Sequence, residues 1–378
     1  MNTFEGIDLI CFSHLRWNFV YQRPQHLMSR FANNNRVFFF EEPFFDDVVH
    51  YDVTKYGENL HVITPHLVRG MGESEVISHQ REFLSRFLIK MNIQRYACWY
   101  YTPMALLFSD HLQPFLTVYD CMDELSAFKF APKALKDLER RLMSQSHIVF
   151  TGGHGLYDAK KTQHRNIHSI PSSIDFDHFF KARTITEEPA DQEQIPHPRF
   201  GFYGVIDERM NLELLGEVAG RKKDWHFILI GPVVKINDEE LPRGENIHYL
   251  GMKNYNELPK YLAGWDVAIM PFALNESTHY ISPTKTPEYL AGGKPVISTP
   301  IIDVRRQYSG LVNFAATPDD FISVAEKDIQ HDETWLDRVD AMLAENSWDK
   351  TWQRMNELIK LTLTGEASLH LKNNKEYV

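Results

Sequence analysis

A chain of 378 residues exceeds the size that one hydrophobic core usually organises, so two domains are the default expectation. Its net charge of −11 argues against nucleic acid as a general partner and against bulk attraction to an anionic membrane. The three cysteines, Cys11, Cys98 and Cys121, are widely spaced and form no C-x-x-C pair, which points to a reducing compartment and to no zinc site.

Residues 1–8 carry acid rather than base ahead of a short apolar run, unlike a secretory leader, and no apolar stretch approaches the length of a membrane span. A cytoplasmic, soluble protein is expected, at most peripheral to the membrane. The run 8–13 reads as a buried first strand, followed by a helix over 23–33 and a second strand over 36–41. A helix over 74–91 precedes strands at 96–100 and 116–120; a helix over 133–144 then leads to a strand at 147–151. Residues 183–198 are polar, proline-bearing and without period, and read as a linker. A second alternating series follows, with strands at 199–204, 226–230, 247–249, 267–270 and 295–299, and helices at 211–219, 257–262 and 317–324. The tail 333–364 reads as helical, with Trp348 and Trp352 on one face to dock it against a domain. Strands alternating with helices predict an α/β protein with two open parallel sheets in tandem and a ligand cleft at their carboxyl edges.

Residues 282–297 carry the strongest chemical signal. Ser282 suits an N-cap and Pro283 the first helical position, so free backbone N–H groups and the positive helix end would face an incoming anion. Lys285 adds a full charge, and Glu288 lies further in, where a carboxylate could hold sugar hydroxyls attached to a phosphate. A nucleoside diphosphate fits both ends. The competing reading is a capped helix with a solvent-facing glutamate running into a Gly292-Gly293 turn. No G-x-G-x-x-G follows either opening strand, which disfavours a dinucleotide dehydrogenase.

Several segments together carry a family likeness over nearly the whole chain. They are Phe202-Tyr203-Gly204, Phe227-Ile228-Leu229-Ile230-Gly231-Pro232, Ile247-His248-Tyr249-Leu250-Gly251, Trp265-Asp266-Val267-Ala268-Ile269-Met270-Pro271 and Pro283 to Val296. In this order they resemble the donor domain of GT-B glycosyltransferases, most closely the retaining, family-4-type (group 1) enzymes that build bacterial polysaccharides. Ile170-Pro171-Ser172-Ser173-Ile174-Asp175-Phe176-Asp177-His178-Phe179 resembles that family's segment entering the interdomain linker. Residues 117–123 resemble its strand end bearing a cleft-facing acid or histidine, and 17–26 the N-terminal loop and helix of cell-surface polysaccharide transferases. Two departures stand out. The first glutamate of the family's Glu, seven residues, Glu motif falls on Tyr280, and Met122 occupies the place of a frequent histidine, so an inverting mechanism stays open beside the favoured retaining one.

The resemblance implies a GT-B fold of two Rossmann-like domains. Residues 1–182 would form the acceptor-binding domain, 183–198 the linker and 199–345 the nucleotide-sugar domain, with helix 346–365 crossing back onto the first. On the donor side it implies Ser282 and Thr284 at the helix start, Lys285 by charge, Arg209 in the loop after Gly204, Glu288 on the ribose hydroxyls and Tyr255 against the base. Arg209 and Tyr255 also have plain structural readings, as a solvated arginine and a packing tyrosine. Asp120 and Asp123 follow a strand's carboxyl end; either is a general base if the reaction inverts or orients the acceptor if it retains, and Asp123 could instead cap a helix. His14, Arg16, Arg23, Gly153 and His154 are further cleft candidates. No Asp-x-Asp lies in a loop suited to a metal, since Asp175-x-Asp177 falls in the interdomain segment, so neither a metal nor another cofactor is expected. The expected partners are a UDP-sugar donor and a saccharide or lipid-linked acceptor, the latter met by Arg16, Trp17, Phe19 and Tyr21. A non-hydrolysing nucleotide-sugar epimerase and a catalytically silent sugar-nucleotide-binding protein are the alternatives.

Overall fold

The computed structural model describes residues 4–327 and 334–365. They divide into two compact units, one drawn from Met1–Pro171 with Asp349–Val378 and the other from Ser172–Trp348.

The first unit holds a nine-stranded sheet. Its strands are β1 (Asp8–Phe12), β2 (Arg36–Phe40), β3 (Phe44–Asp46), β4 (His50–Tyr56) and β5 (Leu60–Val68), then β6 (Tyr96–Tyr100), β7 (Leu116–Cys121), β8 (Ile148–Thr151) and β9 (Ile167–Ser169). They run in the order β3-β5-β2-β1-β6-β7-β8-β9, with β4 on β5. Every residue of β1, β6, β7 and β8 is buried, as continuous apolar runs require when both faces of a parallel sheet are covered. The β4–β5 pair is antiparallel and departs from the expected alternation. Its strands escape a reading of apolar runs because β4, His50-Tyr-Asp-Val-Thr-Lys-Tyr, is a mostly exposed margin with few apolar residues.

The second unit carries β10 (Arg199–Tyr203), β11 (His226–Ile230), β12 (Ile247–Gly251), β13 (Val267–Met270), β14 (Val296–Ser298) and β15 (Asn313–Phe314). All of its pairings are parallel, in the order β12-β11-β10-β13-β14-β15. Counted within the unit this is 3-2-1-4-5-6, the doubly wound order, with its switch point between β10 and β13. The ends of these two strands therefore mark where a ligand is to be sought.

Residues 183–198 are not a free linker. Gln192 is fully buried, its amide donating to the Tyr261 carbonyl at 3.0 Å and accepting from Trp265 Nε1 at 2.9 Å. Arg199 pairs with Glu188 and donates to the carbonyls of Ile195 and Glu193 at 2.7 and 3.2 Å. Polar side chains without period here satisfy buried groups of the second unit, and the boundary between units falls at 171/172. The tail holds two helices, Trp335–Leu343 and Trp348–Thr364, and its expected start at Glu333 lies outside the described residues. The Trp348 amide donates to the Ile174 carbonyl at 3.3 Å, whereas Trp352 packs edge-on against Phe31 at 6.0 Å and Arg30 pairs with Asp349 at 2.7 Å. From residue 349 the last helix belongs to the first unit. Among the described residues no helix is long and apolar enough to cross a membrane.

Candidate functional site

The loop leaving β10 begins at Gly204, whose φ of +140° suits glycine. A Cβ there would stand 2.1 Å from Lys285 Cε and 2.7 Å from its Nζ, so the missing side chain is what lets the lysine arm cross the strand end. Gly231, after β11, has a φ of +143°, and a Cβ on it would meet the Gly204 carbonyl oxygen at 1.8 Å. The Lys285 ammonium also lies 5.8 Å from the Phe202 ring centroid. The loop is fastened to the segment after β13 by a 2.8 Å bond from the Ala273 amide to the Arg209 carbonyl.

Lys285 opens a seven-residue helix, Lys285–Ala291. Thr284, in αR conformation, is its N-cap, and its carbonyl accepts the Glu288 amide at 3.3 Å. This corrects the expected start at Ser282 and Pro283. Such a start would need residue 287 to donate to the carbonyl of 283, and Pro287 has no N–H; starting at 285 places Pro287 in the first turn, where none is required. The anion-facing features of this segment are therefore the Lys285 charge and the side chains around it rather than a long helix dipole.

Glu288 is 6% exposed, which overturns the solvent-facing alternative. Burial pushes its carboxyl up to about 7, against the pull of Lys285 and of the neighbouring Tyr203 and Thr284, with Asp175 adding to the rise. The Tyr203 phenol is itself raised, by burial first and then by Glu288. Arg209 makes a bidentate pair with the buried Asp207, Nη2 to Oδ2 at 2.7 Å, so it is a held cation rather than a freely solvated one. Tyr255 lies half-buried with its ring stacked on His178 at 4.4 Å and edge-on to Phe179 at 5.6 Å, so one face of the expected base contact is already covered. Ser282 and Thr284 are half-buried.

In the first unit Asp120 is wholly buried at the end of β7. Arg23, 1% exposed, donates to both its carboxylate oxygens at 2.9 to 3.1 Å and to the Ile170 carbonyl at 2.8 Å. Burial raises the Asp120 carboxyl, while Arg23, Tyr101 and Trp99 pull it down. Together they tie the helix Arg23–Phe31 to the strand end, so that the carboxylate and the guanidinium expected to line a cleft form a buried ion pair. Asp123, two residues past β7, is half-buried, and the 3-10 turn Leu125–Ala127 has Glu124 as N-cap, so Asp123 does not cap it. The adjoining loop is fixed by Gly152, where a Cβ would stand 2.3 Å from the Met122 carbonyl oxygen. Gly153 is the extended N-cap of the helix His154–Lys160, and His154 Nδ1 lies 3.1 Å from Ser169 Oγ. His14 is half-buried after β1.

Arg16 is held by Glu41 at 3.3 Å, by the Glu42 and Pro43 carbonyls at 2.6 and 3.2 Å, and over the Phe44 ring at 3.5 Å. Glu41 also accepts the Trp17 amide at 2.6 Å and the Thr64 hydroxyl at 3.0 Å. Trp17 is buried rather than displayed, whereas Phe19 and Tyr21 are exposed.

Residues 197–330 match the family model described as glycosyl transferases group 1. The chain carries a group 1 glycosyltransferase domain. That domain begins just before β10 and contains Gly204, Arg209, Lys285 and Glu288. A relative, the putative teichuronic acid biosynthesis glycosyltransferase TuaH of Bacillus subtilis (strain 168), is 26% identical over 255 residues, covering 62% of this chain and 64% of that protein. The match thus spans a little under two thirds of the relative's length. Solved structures share the fold across the chain. Sucrose-phosphate synthase of Thermosynechococcus elongatus matches with TM-score 0.71 at 14% identity, covering 95% of this chain and 100% of that one. Anabaena HepE in complex with UDP matches with TM-score 0.62 at 10% identity, covering 93% and 98%. An E. coli trehalose-6-phosphate protein bound with UDP-2-fluoro glucose matches with TM-score 0.66 at 10% identity, covering 93% and 99%. The fold is GT-B.

Within the second unit, the sequence reading missed the roles of Tyr203 and Asp175 beside Glu288 and of Asp207 beneath Arg209. Tyr203 immediately precedes Gly204 at the strand end, a signal a closer reading of that tripeptide would have used.

Proposed function

We propose that the protein transfers a sugar from a nucleotide-sugar donor to a saccharide or lipid-linked acceptor during assembly of a cell-surface polysaccharide. A UDP-sugar is the donor in this reading, with retention at the anomeric carbon and no metal or other cofactor taking part. The observation that carries it is the buried Glu288 beside Lys285, the latter crossing Gly204 at the switch point of the matched domain. Glu288 accepts hydrogen bonds from the ribose hydroxyls, Lys285 and Arg209 offset the charge growing on the diphosphate, and the loop after β10 lets the phosphates approach backbone. The bond from the anomeric carbon to the diphosphate oxygen breaks and the nucleoside diphosphate leaves. A bond forms from the acceptor oxygen to that carbon, and the hydroxyl proton passes to the departing phosphate, with Asp123 orienting the acceptor. The relative's printed role in teichuronic acid biosynthesis and the UDP ligands of two fold neighbours support the acceptor and donor classes. A peripheral place at the cytoplasmic membrane face completes the reading.

The test is a panel of nucleotide sugars with disaccharide and lipid-linked acceptors, following nucleoside diphosphate release and the anomeric configuration of the product. Release with sugar incorporated into the acceptor is expected. Interconversion of the donor sugar without net transfer would replace the proposal with an epimerase, and binding without turnover of any donor with a silent binder.

A further inference from the structure

The β4–β5 hairpin gathers metal-ligating side chains that no part of the donor site uses. Register sets His50 directly opposite His66, and β3 pairs with the other side of β5 so that Phe44 lies beside His66 and Asp46 follows two residues on. Asp46 Oδ2 is 2.7 Å from His66 Nδ1. Asp52, two residues from His50 and so on the same strand face, approaches His66 Nε2 at 3.4 Å and His50 Nε2 at 3.9 Å. The two imidazole rings stack at 4.1 Å and 16°. One ligand atom from each of Asp46, His50 and His66 falls within 4.8 Å of the others.

We propose that Asp46, His50 and His66 bind one divalent transition cation of the zinc class on this hairpin. Two imidazole nitrogens with carboxylate oxygens select zinc, cobalt or nickel over magnesium or calcium, which take oxygen ligands. Two neutral imidazoles and one carboxylate are three protein ligands, which leave the fourth position of a tetrahedral ion to water. Four ligands at about 2.0–2.1 Å from a tetrahedral ion stand roughly 3.4 Å apart. Closing from the present spacing takes a shift of order 1 to 1.5 Å, within rotamer reach of side chains as exposed as His50 at 46% and Asp46 at 33%. Counting cysteines does not reveal such a site, because its ligands come from facing strands and not from a local C-x-x-C pattern.

The ion would lock the hairpin to β3 and hold the stack that continues from His66 through Phe44, 5.6 Å away, to the Arg16 guanidinium. No step of sugar transfer is routed through it. His226 and His248 form another histidine pair, Nδ1 to Nε2 at 3.0 Å, with no third metal-ligating group among the described residues, and serve as a control.

The experiment strips the full-length protein with chelator and titrates it with zinc by calorimetry, and with cobalt by its visible absorption. One equivalent is expected in the wild type and in a His226→Ala, His248→Ala variant. His50→Ala, His66→Ala and Asp46→Asn should each weaken uptake by more than about tenfold. His50 is exposed enough that its alanine variant keeps the metal-free melting temperature, which separates lost ligation from lost folding. Absence of saturable uptake by the wild type, or uptake unchanged in the hairpin variants, would overturn the proposal.

Discussion

Replacing Arg23 by methionine isolates the claim that Asp120 is a structural anchor. The substitution leaves a carboxylate at 0% exposure facing Tyr101 and Trp99 alone, after removing three charge-assisted contacts of 2.9 to 3.1 Å. Breaking a buried pair on one side costs about 3–5 kcal/mol, and the completeness of burial here argues for the middle of that range or above. With a urea m-value of about 2–3 kcal/mol/M, the first unit's midpoint should fall by roughly 1.3 to 2.5 M. Because two units need not unfold together, the assay is urea-dependent hydrogen exchange read on peptides covering β1 and β7. The double variant Arg23→Met, Asp120→Leu removes both charges and should recover most of the loss. The single variant should also regain stability as pH falls, since the unpaired Asp120 then takes up a proton and no longer buries a charge. A midpoint unchanged in Arg23→Met, or a double variant as damaged as the single, would refute the anchor role and return Asp120 to the catalytic candidates.

Glu288, raised from 4.5 to about 7, makes a contribution to stability that is fully present below pH 4.5 and is lost as pH rises through 7. Relative to Glu288→Gln, the wild type should therefore lose about 1.4 kcal/mol per pH unit across that window, measured by denaturation at fixed temperature. Binding of UDP should move the other way, tightening as pH rises through about 7 while the Glu288→Gln variant stays flat, because the ionised carboxylate is the better acceptor for hydroxyls. Gly204→Ala forces the Lys285 arm aside and strains a backbone at φ +140°; calorimetry should show weakened UDP binding, with about 1–3 kcal/mol lost from the second unit's stability. Gln192→Ala orphans the Trp265 N–H and the Tyr261 carbonyl, and a loss of about 1–3 kcal/mol in a denaturant melt is expected where a true linker would show none.

The alternating architecture was legible because buried parallel strands are continuous apolar runs: β6, β11 and β13 lie where periodicity puts them. What escaped were elements whose stability is tertiary. β4 presents polar side chains to solvent and exists through its pairing with β5, and residues 183–198 are polar because they satisfy buried groups rather than because they are free. At the candidate site, the residue types were readable around Gly204, Lys285 and Glu288, since order and spacing along one segment placed them. Burial was not readable. It distinguishes Asp120, locked against a helix start 97 positions earlier, from Asp123, which remains half-buried. The position of Pro287 was present in the sequence and decides the helix start through its missing N–H, a local effect that the cap reading overlooked.

Calorimetric titration of UDP, paired with nucleoside diphosphate release from a UDP-sugar and a saccharide acceptor, tests the central claim most directly when applied to the wild type, Glu288→Ala and Asp123→Asn. The account predicts that Glu288→Ala loses nucleotide binding and release together, while Asp123→Asn keeps wild-type UDP affinity and loses turnover. Undiminished UDP binding in Glu288→Ala would contradict the assignment of the donor site to the loop after β10 and the helix Lys285–Ala291.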